Sequence, residues 1–196
     1  KGVEVTHRAV VNFMLSMAKA PGFTSADTIV AVTPISFDIA GLELFLPLLT
    51  GGRAVIADRE PVRSGTALVE LAERAGATVL QATPSLWRLL LEAGLKPCPG
   101  LKMLCGGEPL PRDLANRLCE GGGELWNVYG PTETTIWSAT GQVTAGDHTI
   151  TIGDPIANTQ IHILDPRDQL VPVGVIGDVY IGGDGLTVVI GSEHQT

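Results

Sequence analysis

Short apolar segments of β-strand length alternate with segments of helical periodicity over the first two thirds of the chain. After a helix that Thr6 caps and that runs to about residue 20, we expect strands at residues 29–33 and from residues 53, 77, 102 and 124. Helices are expected between them, at about residues 40–49, 66–75, from 84 and at 111–119. This alternation predicts an α/β fold with a mostly parallel, flavodoxin-like sheet flanked by helices.

The sequence pattern changes after residue 142. TITIG, TQIHILD and GDVYIGG are short strand-like segments, and Gly, Pro and Asp turns separate them without intervening helices. We therefore expect an α/β subdomain at residues 1–141 and a small antiparallel β subdomain at residues 142–187.

The charge balance is acidic, with 21 Asp and Glu against 13 Lys and Arg and a formal net charge of -8. No run of like charges occurs, so neither nucleic acid nor an anionic membrane is favoured as a partner. The three cysteines form no CxxC pair, which argues against a disulfide framework or a zinc site. The apolar runs fall short of the ~20 residues that span a bilayer, and we expect a cytoplasmic protein.

Three unusual stretches each follow a predicted strand: SFDIAG, CGGEPL and NVYGPTE, which begin at residues 36, 105 and 127. Because ligands bind at the carboxyl ends of strands in parallel α/β sheets, the stretches are expected to converge on one site. Each also has a purely structural explanation. The glycines can turn the chain, Tyr129 can belong to the core, and Asp38 can cap a helix.

Taken together, these stretches resemble the adenylation domains of nonribosomal peptide synthetases, which belong to the adenylate-forming superfamily. The resemblance covers about residues 1–186 and rests on VTHRAVVN, FDIAGLELFLPLLTGG, ATPSLWRLLL, NVYGPTET, IGDPIANTQIHILD and VPVGVIGDVYIGGDGL. Such domains activate an amino acid with ATP and pass the acyl group to a phosphopantetheine thiol. The resemblance therefore implies ATP, Mg²⁺, a peptidyl carrier protein and neighbouring synthetase domains as cofactors and partners.

The same resemblance implies roles for the nucleotide-site residues. Thr132 would hydrogen-bond the α-phosphate and Glu133 would hold Mg²⁺, which makes these two the expected catalytic residues. Tyr129 would offer a flat face to adenine, and Asn127 an amide to its exocyclic nitrogen. The expected nucleotide-binding set is Gly106, Gly107, Glu108, Asn127, Tyr129, Gly130 and Thr132.

A second set of residues corresponds to the family's amino-acid pocket. These are Asp38, Ile39, Leu42, Gln81, Leu104, Gly106, Val128, Ile136 and Trp137. Asp38 is expected to pair with the substrate's α-ammonium group, because a carboxylate in a mainly apolar pocket is costly without a cation. The string DILQLGVIW resembles the signature of glycine-activating domains, in which Trp137 and its neighbours would fill the space of a larger side chain.

The resemblance also implies missing parts: most of the phosphate loop, the ribose-binding motif and the C-terminal lid with its catalytic lysine. We expect an internal fragment that does not form aminoacyl adenylate at a useful rate alone. The family continues with a pattern like RGYxxRPE where this chain has VVIGSEHQT. If VVIGSEHQT is back-translated with suitably chosen codons and one base is inserted in front, the shifted reading frame encodes RGYWQRAPD, which is close to the family pattern. Residues 188–196 are therefore expected to be a frameshifted, non-native tail.

Other functions stay open. An acyl-CoA or aryl-acid ligase of the same superfamily would share the motifs, but its substrates carry no ammonium group for Asp38. A non-catalytic binding module is compatible with half an active site. A Rossmann oxidoreductase has little support, because no GxGxxG opens a helix after a strand.

Overall fold

The computed structural model describes residues 2–58 and 64–190. The helices are α1 His7–Met17, α2 Ala40–Thr50, α3 Gly65–Ala75, α4 Pro84–Glu92 and α5 Arg112–Cys119. The strands are β1 Gly2–Glu4, β2 Thr28–Ala31, β3 Arg53–Ile56, β4 Val79–Ala82, β5 Lys102–Gly106, β6 Glu124–Tyr129, β7 Ala139–Val143, β8 Asp154–Pro155, β9 Thr159–Leu164, β10 Asp178–Gly183 and β11 Val188–Ile190. A wide turn at Ala18–Gly22 follows α1, and a 3-10 turn at Thr132–Thr134 follows β6.

Seven strands of the described residues form one sheet in the order β3-β2-β4-β5-β6-β7-β8. The pairs from β3 to β6 are parallel, whereas β7 and β8 are antiparallel to their neighbours. β9 and β10 form a separate antiparallel pair, and β1 pairs with β11. The predicted fold class, a mostly parallel sheet flanked by helices and followed by a small antiparallel sheet, is confirmed.

Helices cover both faces of the large sheet. On one face Trp87 of α4 and Leu114 of α5 belong to a buried cluster with Met103 of β5. On the other face Phe13 of α1 packs in a second cluster with Leu104, the next residue of β5. Successive residues of β5 thus enter opposite clusters, as expected for a strand that is buried on both sides.

Helix starts follow the predicted capping residues. The Thr6 hydroxyl accepts a hydrogen bond from the Ala9 amide at 3.2 Å, and the Thr83 hydroxyl accepts one from the Leu86 amide at 3.3 Å. Pro84 occupies the first turn of α4, where its missing amide hydrogen leaves no helical bond unmade. Both predicted caps are confirmed.

One helix is shorter than predicted. The α-helical part of α1 ends at Met17, rather than near residue 20. Ala20 is extended, with φ -146° and ψ 120°, because the residue before a proline is disfavoured in helical conformation. Among the described residues no helix is long and apolar enough to cross a membrane.

The largest corrections concern the region after residue 139. The prediction of a strand at TITIG is wrong: this segment is irregular, and its Thr151 carbonyl accepts a hydrogen bond from the Asn127 side chain at 2.7 Å. β7 and β8 extend the large sheet to residue 155, so the boundary expected after residue 141 falls inside β7. Of the expected non-native tail, residues 188–190 form β11 and residues 191–196 lie outside the described ranges. The frameshift stays a prediction.

Candidate active site

The predicted site residues gather where the chain leaves two neighbouring strands in opposite directions. β2 and β4 are paired, but the chain continues from β2 to β3 on one side and from β4 to β5 on the other. Such a switch point is where α/β sheets bind ligands. The segment after β2 and the helix after β4 border a cleft there.

We call this cleft the Phe37 cleft; its volume is about 420 Å³. Its lining comprises Val32, Thr33, Pro34, Phe37, Ile39, Gln81, Ala82, Thr83, Leu86, Gly106, Gly107 and Trp137. Phe37 is exposed at the mouth, whereas Gln81 and Trp137 are 3% and 2% exposed and form a buried end. The cleft is thus open at Phe37 and closed at Gln81 and Trp137.

The residues predicted for the amino-acid pocket divide into two layers. Ile39, Gln81, Gly106 and Trp137 line the Phe37 cleft. Leu42, Leu104, Val128 and Ile136 are buried in the apolar cluster that also contains Trp137. The half-buried Asp38 lies in the turn before α2, between two lining residues, and its backbone carbonyl accepts from the Gly41 amide at 2.8 Å. The structure therefore brings eight of the nine predicted residues together, whereas Asp38 is not among the residues that line the cleft.

Gly106 is required by the packing of that wall. A Cβ atom there would lie 2.6 Å from both Cγ2 and the carbonyl oxygen of Val128. It would also lie 2.8 Å from Cη2 of Trp137. Only a residue without a side chain lets β5, β6 and the Trp137 ring approach this closely.

A second cleft, of about 360 Å³, lies on the other side of the same wall; we call it the Tyr129 cleft. Its lining comprises Gly107, Glu108, Pro109, Leu110, Asn127, Val128, Tyr129, Gly130, Trp137, Ile150, Thr151 and Ile152. Gly107 and Trp137 border both clefts. Most of the predicted nucleotide-binding residues are thus separated from the predicted amino-acid pocket by one layer of residues.

Two polar side chains of the Tyr129 cleft have defined partners. Asn127 is nearly buried, and its Nδ2 donates to the Thr151 carbonyl at 2.7 Å. This bond fixes the amide, whose other end, Oδ1, is an acceptor. Glu108 accepts a hydrogen bond from the Ser85 hydroxyl at 2.9 Å, which ties the turn after β5 to α4.

The turn that carries Thr132 and Glu133 is held by the segment that follows β10. The amide and hydroxyl of Thr187 donate to the Glu133 carbonyl at 3.0 and 2.9 Å. The Thr135 hydroxyl donates to the Gly185 carbonyl at 2.8 Å. Thr135 and Ile136 both have φ of 65°, a costly conformation for β-branched residues that surrounding contacts must enforce.

Glu133 is a half-buried carboxylate, while Thr132 is exposed. Within residues 2–58 and 64–190, no group of three or more His, Cys, Asp or Glu side chains could hold a metal ion. Mg²⁺ does not need such a cage, because it commonly binds one or two carboxylates together with substrate phosphates and water. One carboxylate on an accessible turn therefore fits a magnesium ion that arrives with a nucleotide.

Glu43 was not predicted from the sequence; it is fully buried next to two residues that line the Phe37 cleft, Thr33 and Gln81. Its carboxylate accepts hydrogen bonds from the backbone amides of Val32 and Thr33, both at 2.9 Å. These bonds explain why β2 ends at Ala31 and not at residue 33 as predicted, because the two amides turn away from the sheet. An acid within the apolar run GLELFL was the signal that could have identified it.

Cys105 lies in β5 next to Gly106, and its side chain is buried in the cluster that contains Trp87 and Met103. Burial and the charge of Glu108 raise the pKa of its thiol to about 12. The thiol therefore stays protonated at neutral pH, and covalent thiolate chemistry by this residue is disfavoured.

Comparison with known proteins identifies the family. The family model described as AMP-binding enzyme matches residues 1–189. The chain belongs to the AMP-binding enzyme family. It is 44% identical to a dimodular nonribosomal peptide synthase of Bacillus subtilis, and 39% identical to tyrocidine synthase 3 of Brevibacillus parabrevis. The alignments cover 95% of this chain but only 8% and 3% of those proteins.

Solved structures agree with this placement. The crystal structure of holo-AB3403, a four-domain nonribosomal peptide synthetase bound to AMP and glycine, superposes with a TM-score of 0.91 at 45% identity. That match covers 96% of this chain and 14% of the other. The N-terminal subdomain of Klebsiella oxytoca NpsA, at 23% identity and TM-score 0.81, shares the fold. The resemblance to synthetase adenylation domains predicted from the motifs is confirmed.

Proposed function

We propose that this chain is the nucleotide- and substrate-binding part of an amino-acid adenylation domain in a nonribosomal peptide synthetase. The observation that carries the proposal is the wall between the two clefts. Trp137 and Gly107 border both, so a nucleotide in the Tyr129 cleft and an amino acid in the Phe37 cleft would meet at this wall. Adenylation joins two such ligands.

The Tyr129 cleft suits ATP. The half-exposed ring of Tyr129 offers a face for stacking, and Oδ1 of Asn127 is the acceptor that an adenine amino group needs. The turn after β6 supplies the Thr132 hydroxyl for the α-phosphate and the Glu133 carboxylate for Mg²⁺. When bound, the ion would neutralise negative charge on the phosphates.

The Phe37 cleft suits a small amino acid. Asp38 supplies a carboxylate for the α-ammonium group, and the buried side chains of Gln81 and Trp137 close one end of the cleft. We infer that the substrate is glycine. The glycine bound in the AB3403 structure, a relative at 45% identity, supports this assignment.

The proposed reaction forms glycyl-AMP. A carboxylate oxygen of glycine attacks the α-phosphorus of ATP, the bond from that phosphorus to the bridging oxygen breaks, and pyrophosphate leaves with the electron pair. A phosphopantetheine thiol of a carrier protein then takes the glycyl group and releases AMP.

Pyrophosphate exchange tests the proposal. A complete adenylation domain that contains this sequence is assayed with each amino acid and with aryl and fatty acids as the alternative substrate class. We expect glycine to give the highest exchange, with alanine the next best, and the isolated 196-residue chain to give none above background. Exchange supported by an aryl or fatty acid, with no response to amino acids, would overturn the assignment.

A further inference from the structure

Glu43 places a carboxylate inside the apolar core between α2 and the Phe37 cleft. Its side chain is 0% exposed, and four hydrogen-bond donors surround its two oxygens. Oε2 accepts from the Val32 and Thr33 amides, both at 2.9 Å. Oε1 accepts from the Thr33 hydroxyl at 2.8 Å and from Nε2 of Gln81 at 3.2 Å.

The hydrogen bonds from Glu43 through Gln81 to Trp137 allow only one assignment of donors and acceptors. An ionised carboxylate only accepts hydrogen bonds, so the amide nitrogen of Gln81 must face Glu43. The Gln81 oxygen then faces Trp137, whose indole Nε1 donates to it at 3.0 Å. An indole can only donate, so the three side chains fit in one arrangement.

The same carboxylate also fixes the chain that leads to Asp38. Because the Val32 and Thr33 amides bond to Glu43 rather than to a neighbouring strand, β2 ends and the segment turns along the cleft. Val32 and Thr33 themselves line the Phe37 cleft. One buried group is thus connected to both sides of the cleft.

We propose that Glu43 is a positioning residue for amino-acid selection, which holds Gln81 and Trp137 at the buried end of the Phe37 cleft through the Trp137–Gln81–Glu43 hydrogen bonds. This inference rests on the proposed function. Glu43 does not touch the substrate; it prevents the wall from moving aside for a methyl group. Burial raises the pKa of Glu43, while the bonds from Thr33, Gln81 and Val32 oppose that rise.

The variant Glu43→Gln tests this role, because it keeps the shape and places a donor where an acceptor stood. If the amide nitrogen of the new side chain at residue 43 faces Gln81, the Gln81 oxygen must turn towards residue 43 to accept its hydrogen bond. The Gln81 nitrogen then faces the Trp137 indole, which is also a donor. The bond to Trp137 is then lost. We expect the glycine-over-alanine preference in kcat/KM to fall roughly 10-fold, within the range that one methyl group commands.

Two matched variants accompany it. Glu70→Gln makes the same chemical change on the exposed face of α3 and is expected to leave the preference unchanged. The double variant Glu43→Gln/Gln81→Glu exchanges the two groups, so that residue 81 again accepts from Trp137 and now also from residue 43. We expect this exchange to restore most of the preference, which a merely structural role for Glu43 would not predict.

The Trp137 indole N–H resonance, assigned with Trp137→Phe, gives a second measurement that needs no activity. It should shift in Glu43→Gln and return towards its original position in the double variant. An unchanged glycine-to-alanine ratio or an unshifted resonance in a folded Glu43→Gln overturns the inference, and so does a double variant that fails to fold. If the complete domain without substitutions shows no pyrophosphate exchange with any amino acid, the proposed function is contradicted instead. The Trp137 indole resonance then tests the positioning role of Glu43 on its own.

Discussion

The two clefts share a wall but are built differently. The Phe37 cleft ends on side chains that are buried, hydrogen-bonded to one another and continuous with the core. The Tyr129 cleft combines buried residues such as Asn127 and Val128 with exposed ones, among them Tyr129 at the end of β6, which is 37% exposed. We therefore expect amino-acid selection to be coupled to folding more closely than nucleotide binding is.

The largest expected effect is that of Asp38→Ala, because it removes the carboxylate that we propose binds the ammonium group and leaves the core untouched. We expect kcat/KM for glycine to fall about 100-fold or more, since truncating one partner of a hydrogen-bonded charge pair leaves the other unpaired. Asp38 is half-buried in a turn, so the free energy of unfolding should change by less than about 0.5 kcal/mol. Asp147→Ala, at a side chain 99% exposed, is the control. Unaltered amino-acid activation by Asp38→Ala would exclude its pairing with the ammonium group.

Gly106→Ala should disturb both clefts through their common wall. The added Cβ would lie 2.6 Å from Val128 and 2.8 Å from Trp137, so β5 and β6 must separate. We expect the free energy of unfolding in urea to drop by about 3 kcal/mol, the cost of overpacking a tight core. Gly182→Ala, where the nearest atom would be 3.9 Å away, should change it little. Equal free energies of unfolding for the two variants would show that β5 and β6 can move apart at no cost, which contradicts the tight packing around Gly106.

Asp27 is a buried charge directly before β2, far from both clefts. Asp27→Asn should lower the free energy of unfolding without changing the glycine-to-alanine preference. Asp27 accepts from the Thr24 amide at 2.7 Å and the Thr78 hydroxyl at 2.8 Å, and pairs with Lys102 at 3.4 Å. Burial raises the pKa of Asp27, but these bonds and the Lys102 charge together lower it below its ordinary 3.8. We expect a loss of about 2 kcal/mol near neutral pH.

The pH dependence of that loss follows from the lowered pKa. The folded protein holds the ionised form, so the stabilisation is complete above the unfolded pKa of about 3.9 and disappears as pH falls through the lower folded value. The difference in free energy of unfolding between the parent and Asp27→Asn, measured with denaturant from pH 7 to pH 3, should therefore be constant near neutral pH and narrow as pH falls below about 4. A constant difference across that range would contradict the account.

Glu133→Gln should give the smallest of these effects and act on the nucleotide side alone. A neutral amide binds Mg²⁺ more weakly than a carboxylate does. We expect the Mg²⁺ concentration for half-maximal exchange to rise about 10-fold, or about 1.4 kcal/mol, with little change in the glycine-to-alanine ratio. Glu120→Gln, on the exposed end of α5, is the control. A changed glycine-to-alanine ratio with an unchanged Mg²⁺ requirement would show that Glu133 acts on amino-acid selection and not on the metal.

Much of the fold was predictable because the inner parallel strands β2, β4 and β5 are buried on both faces and consist mainly of apolar residues. Thr6 and Thr83 marked helix starts through local hydrogen bonds that sequence spacing reveals. β7 and β8 were not recognised as part of the large sheet, because an antiparallel strand at its edge has the composition of the small sheet that follows. TITIG was misassigned for a related reason, since its alternating residues suit a strand but one carbonyl bonds to a side chain.

The sequence predicted that certain residues lie close together, but it did not predict the hydrogen bonds between them. Motifs placed Gln81 and Trp137 in one pocket, and the structure adds that they are hydrogen-bonded. Glu43 escaped notice because a buried acid is recognised by its partners, which come from segments 10 or more residues away. Periodicity finds residues that share a face, whereas a polar network across β2, α2 and β4 requires coordinates.

A structure with a stable analogue of glycyl-AMP, glycyl sulfamoyladenosine, tests the two-cleft assignment most directly. In a complete adenylation domain that contains this sequence, we expect the adenine ring against Tyr129, with its amino group on Asn127. The glycyl ammonium should lie within hydrogen-bonding distance of the Asp38 carboxylate, with Trp137 between the two halves of the ligand. An analogue bound elsewhere, or one with its ammonium group directed away from Asp38, would contradict the account.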